Sequence, residues 1–161
     1  MEDPKADISS AYVFLRKNPL VSQEIVLLRR PKLGRKSGMY TVPGRKIKRG
    51  ELPRSAAIRA AYEQVGISVP LYKVKPVHVS YRPTYGETGA QTDYFFEVNE
   101  WLGIVINREP EECDKIIFSN AGMLLLKNMV FSVVGNAIWC WRNDIFYSEL
   151  DLNWIRRQGF L

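Results

Sequence analysis

Residues 43–67, PGRKIKRGELPRSAAIRAAYEQVGI, constrain the fold more than any other stretch of the chain. Pro43-Gly44 and Gly50 are turn residues, because glycine reaches backbone conformations that other residues avoid. From Pro53 onward the pattern becomes helical. Pro53 suits a first helical turn, where its missing N–H would have had no partner anyway. Ala56, Ala57, Ala60 and Ala61 have high helix propensity. Gly66 supplies a stop. The spacing predicts a helix over 53–65 behind a glycine-bracketed loop.

Strand signals lie on both sides of this unit. Residues 8–15 read as a first strand, followed by an Asn18-Pro19 turn. Residues 24–30, with Ile25, Val26, Leu27 and Leu28, read as a buried strand, and 40–42 as a short extended piece. Further strands are predicted over 74–81, 92–98 and 101–106, with a short extended piece at 116–118. Residues 83–89 form a Tyr/Gly/Thr loop, and 107–114 form a polar loop with four acids. Apolar residues at 3–4 spacing predict one helix over about 120–141. Residues 147–161 are a short tail. The expected architecture is a single α+β domain over 1–161, with one mixed sheet, one central helix and one later helix.

Charge is the second constraint. The formal net charge is +6, yet it is concentrated. Arg29, Arg30, Lys32, Arg35, Lys36, Arg45, Lys46, Lys48, Arg49, Arg54 and Arg59 stand against one acid, Glu51, so residues 29–59 carry +10. The remainder carries −4. A slightly acidic protein with one basic segment points to an anionic ligand.

Several classes are excluded. With 161 residues, 46% hydrophobic and 25% charged, the chain is no disordered tail or collagen-like repeat. Cys113 and Cys140 cannot build a disulfide framework, and a reduced, cytoplasmic setting is expected. No C-x-x-C pair indicates zinc. His78 is the sole histidine and reads as a structural or surface residue. Residues 1–7 contain three acids and no apolar run, unlike a signal peptide. Residues 123–141 are interrupted by Lys127, Asn128, Gly135 and Asn136 and do not read as a membrane span.

In register, the helical unit resembles the signature of the Nudix superfamily, G-x5-E-x7-R-E-U-x-E-E-x-G-U, where U is aliphatic. Glu51 falls on the first Glu, Arg59 on the Arg, Glu63 on the next-to-last Glu, and Gly66-Ile67 on the close. Pro43-Gly44 and Gly50 match the flanking turns, and stretches at 92–96, 101, 107–110, 113 and 147–149 agree along nearly the whole chain. The resemblance implies a Nudix fold, a mixed β-sheet sandwiched between helices (α/β/α). It implies a nucleotide or nucleoside-diphosphate-linked ligand, such as a nucleotide sugar. The base is expected near Tyr81, Arg82, Tyr85 and Trp101, and the phosphates near the box at Arg45, Lys46, Lys48 and Arg49. Gly44, Gly50, Arg59 and Gly66 are the structural box residues. Glu51 and Glu63 are the remaining catalytic candidates and, with Glu109, the candidate ligands for Mg²⁺ or Mn²⁺. A monomer or homodimer is expected, with no membrane association.

The departures are as informative. Arg45 replaces the opening Gly, Lys48 stands where many members carry an acid, Ala60 replaces a Glu, Ala61 the aliphatic residue, and Gln64 the last Glu. Positions 60, 63 and 64 share a helix face, and three carboxylates there would make a hard-oxygen site for a dication. Replacing two leaves one. A lost general base alone costs roughly 10²–10⁴ in rate, and lost metal charge costs more. Three readings follow. The chain binds its ligand with hydrolysis weak or lost and no metal needed, the basic residues standing in for the metal's charge or the helix serving only as structure. Alternatively, it is an active metal-dependent pyrophosphohydrolase using Glu51, Glu63 and the loop acids Glu109, Glu111 and Glu112. Or it is a nucleic-acid-binding or assembly subunit that uses residues 29–59 beside aromatic side chains.

Overall fold

The computed structural model describes residues 6–20, 22–31, 37–83, 89–151 and 153. Strand β1, Ile8–Leu15, alternates its side chains: Ala11, Val13 and Leu15 face one way, Tyr12 and Phe14 the other. That alternation builds two cores. Ala11, Val13 and Leu15 pack against helix α1, Pro53–Val65, through Ala56, Ala57, Ala61 and Val65. Phe14 packs instead with Val134, Ala137 and Ile138 of helix α3, Ser132–Arg142. The inward face of α1 is made of small residues. The helix backbone therefore lies close to β1, and anything carried on the next turn of α1 is held close to the sheet.

The strands form two sheets rather than the single one expected. The larger has the order β4-β1-β6-β5-β8, where β4 is Gly44–Lys46, β5 Lys75–Arg82, β6 Gln91–Val98 and β8 Tyr147–Glu149. β1 runs parallel to β6 from Ile8↔Gln91 to Leu15↔Val98 and antiparallel to β4. The smaller sheet has the order β3-β2-β7, where β2 is Glu24–Arg29, β3 Tyr40–Thr41 and β7 Lys115–Asn120. β2 alternates as β1 does: Val26 and Leu28 join the α1 core, Ile25 and Leu27 the α3 core. Both sheets therefore lie in one middle layer between helices, the α/β/α arrangement.

Four expectations need correction. Residues 101–106 are not a strand. Gly103 adopts φ 97°, Leu102 makes an isolated bridge to Ser68, and the Ile106 N–H donates to the Val65 carbonyl at the end of α1. The helix expected over 120–141 is split into α2, Ala121–Leu126, and α3. Asn128 takes φ 51° between them, and the connecting chain hydrogen-bonds to Tyr40 of β3 through the Met129 carbonyl and the Phe131 N–H. Periodicity alone does not reveal that break, because Val130 stays in the apolar pattern while being buried against the sheet. Residues 44–46, left as loop, form β4. Residues 147–149, read as tail, form β8 beside β5.

His78 is fully buried on β5. Its Nδ1 lies 2.8 Å from the Ile145 carbonyl oxygen and its Nε2 2.9 Å from Ser148 Oγ. Burial lowers its pKa. A neutral imidazole donating to the carbonyl and accepting from the hydroxyl satisfies both contacts, which makes it a stitch between β5 and β8. No helix among the described residues is long and apolar enough to cross a membrane.

Candidate functional site

The site is assembled from β4, the loop after it, the outer face of α1, and the loop 107–114. α1 starts at Pro53 and ends at Gly66, whose φ of 75° lets its N–H reach back to the Ala61 and Tyr62 carbonyls. With positions 56, 57, 60 and 61 turned inward, Arg59 and Glu63 emerge one turn apart on the outer face.

Arg59 organises the loop. Its Nε and Nη2 bind the two carboxylate oxygens of Glu51 at 2.8 and 3.0 Å, the two-pronged geometry that suits guanidinium and carboxylate. Nη2 also donates to the Lys46 carbonyl at 2.8 Å. Glu51 in turn accepts the Lys48 N–H at 2.8 Å. These donors, Arg59 first, hold the Glu51 carboxyl down at about 2. The left-handed turn at Gly50, φ 78°, brings Glu51 back toward the helix.

Gln64 does something the sequence does not announce. Its Oε1 accepts the Gly44 N–H at 2.8 Å, stapling β4 to α1. Gly44 must be glycine for a different reason: a Cβ there would lie 2.3 Å from the Tyr12 ring. That ring stacks on Phe95 at 4.9 Å, with 12° between the planes. Burial, with the Asp93 charge, pushes the Tyr12 hydroxyl up to about 12.

Arg45 sits at the centre. Its Nε donates to Glu63 Oε2 at 2.8 Å, and its Nη2 donates to Glu109 Oε1. Glu63 Oε2 also lies 3.4 Å from Arg59 Nη1. The hydrogen bond from Arg45, helped by the Arg59 charge, lowers the Glu63 pKa. Glu109 is delivered by a loop that folds on itself through the Glu109 N–H to Asn107 Oδ1 and the Cys113 N–H to the Glu109 carbonyl.

These groups border a cleft of about 750 Å³. Arg45, Lys46, Lys48 and Glu109 line one part; Tyr12, Val42 and Phe131 line another. Arg29 and Arg30, expected only as part of the basic segment 29–59 and not among the individual phosphate candidates, also reach it. Arg29 pairs with Asp114 at 2.7 Å, and Arg30 lies over the Phe131 ring. Tyr12 was likewise missed. Its alternation with Ala11 and Val13 was visible, but nothing in the sequence says which face of β1 borders a cleft.

The other candidates fall elsewhere. Arg82 binds Asp93 at 2.7 Å, and the Asp93 side chain is 2% exposed, so the pair braces β5 against β6. Tyr81 is partly exposed on β5 and does not line this cleft. Trp101 lines a different groove, with Ile104 and Phe118. Tyr85, Lys32, Arg35 and Lys36 lie outside the described residues. Lys46, Lys48, Arg49 and Arg54 are exposed, and among the described residues none of them has an ion-pair partner.

The donor set does not fit the Mg²⁺ or Mn²⁺ that the box implies. Such ions take several oxygen ligands. Ala60 offers none, the Gln64 oxygen is committed to the backbone, and Glu63 and Glu109 share a guanidinium. Among the described residues no three His, Cys, Asp or Glu side chains are grouped to hold a metal ion.

The α/β/α layering and the loop-helix box together define a Nudix-type domain. The sequence model of the NUDIX domain matches residues 9–131, most of the chain, so this chain belongs to the NUDIX family. Its fold is similar to that of a MutT NUDIX hydrolase from Burkholderia pseudomallei, at 14% identity and TM-score 0.67, covering 84% of this chain and 98% of that one. It is similar to a MutT protein from Methanosarcina mazei Go1, at 16% identity and TM-score 0.69, covering 89% and 98%. A C. elegans Ap4A hydrolase matches at 13% identity and TM-score 0.60, covering 84% and 96%. No curated protein sequence matches the chain.

Proposed function

We propose that this chain is a NUDIX domain that binds a nucleotide or nucleoside-diphosphate-linked ligand, with diphosphate hydrolysis weak or lost. The observation that carries this reading is the fate of the two replaced box positions. Ala60 is fully buried on the inward face of α1, and the Gln64 amide oxygen is used as a staple, so neither can hold a metal or activate water. The cleft beside them is about 750 Å³ and is lined by Arg45, Lys46 and Lys48. Lys46 and Lys48 offer ammonium groups to phosphate oxygens, and the aromatic walls at Tyr12 and Phe131 suit a flat, apolar group. The family and the hydrolase names among similar folds favour a ligand of the nucleotide class. Two buried free cysteines suit a reducing, cytoplasmic setting.

The test is a phosphate-release screen over nucleotides and nucleotide sugars with Mg²⁺ or Mn²⁺, run beside calorimetric binding. Binding without turnover is expected of the wild type. Turnover at a rate ordinary for this family, abolished by Glu51→Gln and Glu63→Gln, would instead establish an active enzyme with a variant site. Gln64→Glu, alone and with Ala60→Glu, tests restoration; because Ala60 is buried, each variant is first checked by thermal unfolding. Oligonucleotide binding with a steep salt dependence and no mononucleotide binding would favour the nucleic-acid reading.

A further inference from the structure

Arg45 occupies the box position where the family signature has glycine, and its guanidinium contacts Glu63 and Glu109, two of the three carboxylates that the resemblance offered as metal ligands; the third, Glu51, is held by Arg59. We propose that Arg45 is a built-in cation that takes the place of a divalent metal, so that this cleft meets an anionic ligand without Mg²⁺ or Mn²⁺. The second half of that statement rests on the ligand class proposed above; the first half does not.

Three observations support it. The first is occupancy. A dication shared by Glu63 and Glu109 would have to displace a guanidinium already hydrogen-bonded to both, with Arg59 adding a second cation against Glu63. A like charge at contact distance opposes metal entry directly. The second is anchoring. Arg45 projects from β4, paired opposite Ala11 of β1, and its neighbour Gly44 is held by Gln64. Its side chain therefore starts from sheet backbone rather than from a loop tip. The third is spare capacity. Nε and Nη2 are used by the carboxylates, while among the described residues Nη1 has no hydrogen-bond acceptor. Its donors remain for a phosphate oxygen, and Arg45 is one of the residues lining the cleft.

The exchange explains why binding and hydrolysis part company here. A guanidinium supplies charge and directed N–H donors to a diphosphate. It does not lower the pKa of a bound water, which is the metal's other contribution. The replaced residues Ala60, Gln64 and Arg45 thus form one consistent set. Two remove ligand oxygens, and the third ties up Glu63 and Glu109.

The experiment is a Mn²⁺ titration followed by electron paramagnetic resonance of the free ion, on wild type, Arg45→Ala, Arg45→Met, Arg45→Lys and the double variant Arg45→Ala/Glu63→Gln. Circular dichroism melting establishes that each is folded, and Arg45→Met keeps the apolar stem should Arg45→Ala fold poorly. Arg45→Ala or Arg45→Met is expected to bind Mn²⁺ saturably, at least about tenfold more tightly than wild type, a modest gain for removing a contacting charge in a partly solvated site. The double variant should lose that site, and Arg45→Lys should behave as wild type. Wild type binding Mn²⁺ as tightly as Arg45→Ala, or neither Arg45→Ala nor Arg45→Met gaining a site, overturns the proposal. A parallel calorimetric titration with inorganic pyrophosphate in EDTA separates the two readings. Binding by wild type that weakens at least about tenfold in Arg45→Ala supports a direct guanidinium contact. Failure of pyrophosphate and of every nucleotide in the screen to bind, with or without Mn²⁺, sinks the proposed function and the anion half of this inference, while the Mn²⁺ result still decides the metal half.

Discussion

The box contains two arginine–glutamate clasps, and they do different work. Arg59 and Glu51 are eight residues apart and meet through two hydrogen bonds, with the Lys46 carbonyl and the Lys48 N–H drawn into the same knot. Arg45 meets Glu63 and Glu109 across 18 and 64 residues, from a strand to a helix and a distant loop. The first clasp shapes the loop and sets the entry to α1. The second closes over carboxylates that the loop and helix would otherwise present to a cation. The same pairing of residue types thus serves architecture in one place and charge substitution in the other. The difference lies in what surrounds each pair: backbone groups at the first, cleft at the second.

Mutations can break that contrast. Arg59→Ala should have the largest effect, about 3 kcal/mol lost in urea unfolding. It strips the Lys46 carbonyl and leaves the Glu51 carboxylate without its fork. Gly44→Ala, at the seam between the clasps, should cost about 2 kcal/mol, because the added methyl meets the Tyr12 ring, which is itself stacked on Phe95. The pH dependence comes next. Glu51 is held at about 2 in the folded protein against an ordinary 4.5, so the unfolded chain takes up the proton first as pH falls. Its contribution is complete above about 4.5 and disappears as pH drops toward 2. The stability gap between wild type and Glu51→Gln should therefore be about 1–2 kcal/mol at neutral pH, after discounting for solvent, and should close across that acid window. Arg45→Ala should cost least, under about 1 kcal/mol, since its pairs are partly solvated. A loss at Arg45 equal to that at Arg59 would erase the distinction.

Local features of the fold were legible in the sequence, and distant partnerships were not. The helix over 53–65 and the strand over 8–15 have the expected bounds, because Pro53, the alanines, Gly66 and the apolar alternation all act within a few residues. β4 was invisible. Its glycine, arginine and lysine have no strand pattern, and its pairing depends on Tyr12 lying across from Gly44. The break at Asn128 was hidden because Val130 continues the helical periodicity. At the site, Glu51 and Arg59 were legible by register. The role of Arg45 was legible in sign but not in place. Eleven cations in a row of thirty-one residues read as one basic segment, yet Arg29, Arg45 and Arg59 each find carboxylates, two of them with a partner far along the chain. Sequence gives the charge of a residue; only tertiary contact gives its balance. Gln64 shows the same limit. It reads as a lost ligand and turns out to be a backbone staple.

The parallel pairing of β1 with β6 sets the timetable on which this molecule can form. Ile8 waits for Gln91, and Leu15 waits for Val98. During synthesis from the N-terminus, the first strand leaves the ribosome long before the strand that covers one of its edges exists. β4 can pair with the other edge much earlier. Closing an 83-residue separation carries an entropic cost that local helix formation does not, which places the slow step of folding at the β1–β6 seam. Until that seam closes, the whole edge of β1 that β6 will cover presents unpaired backbone groups, the feature that lets a strand edge pair with other chains.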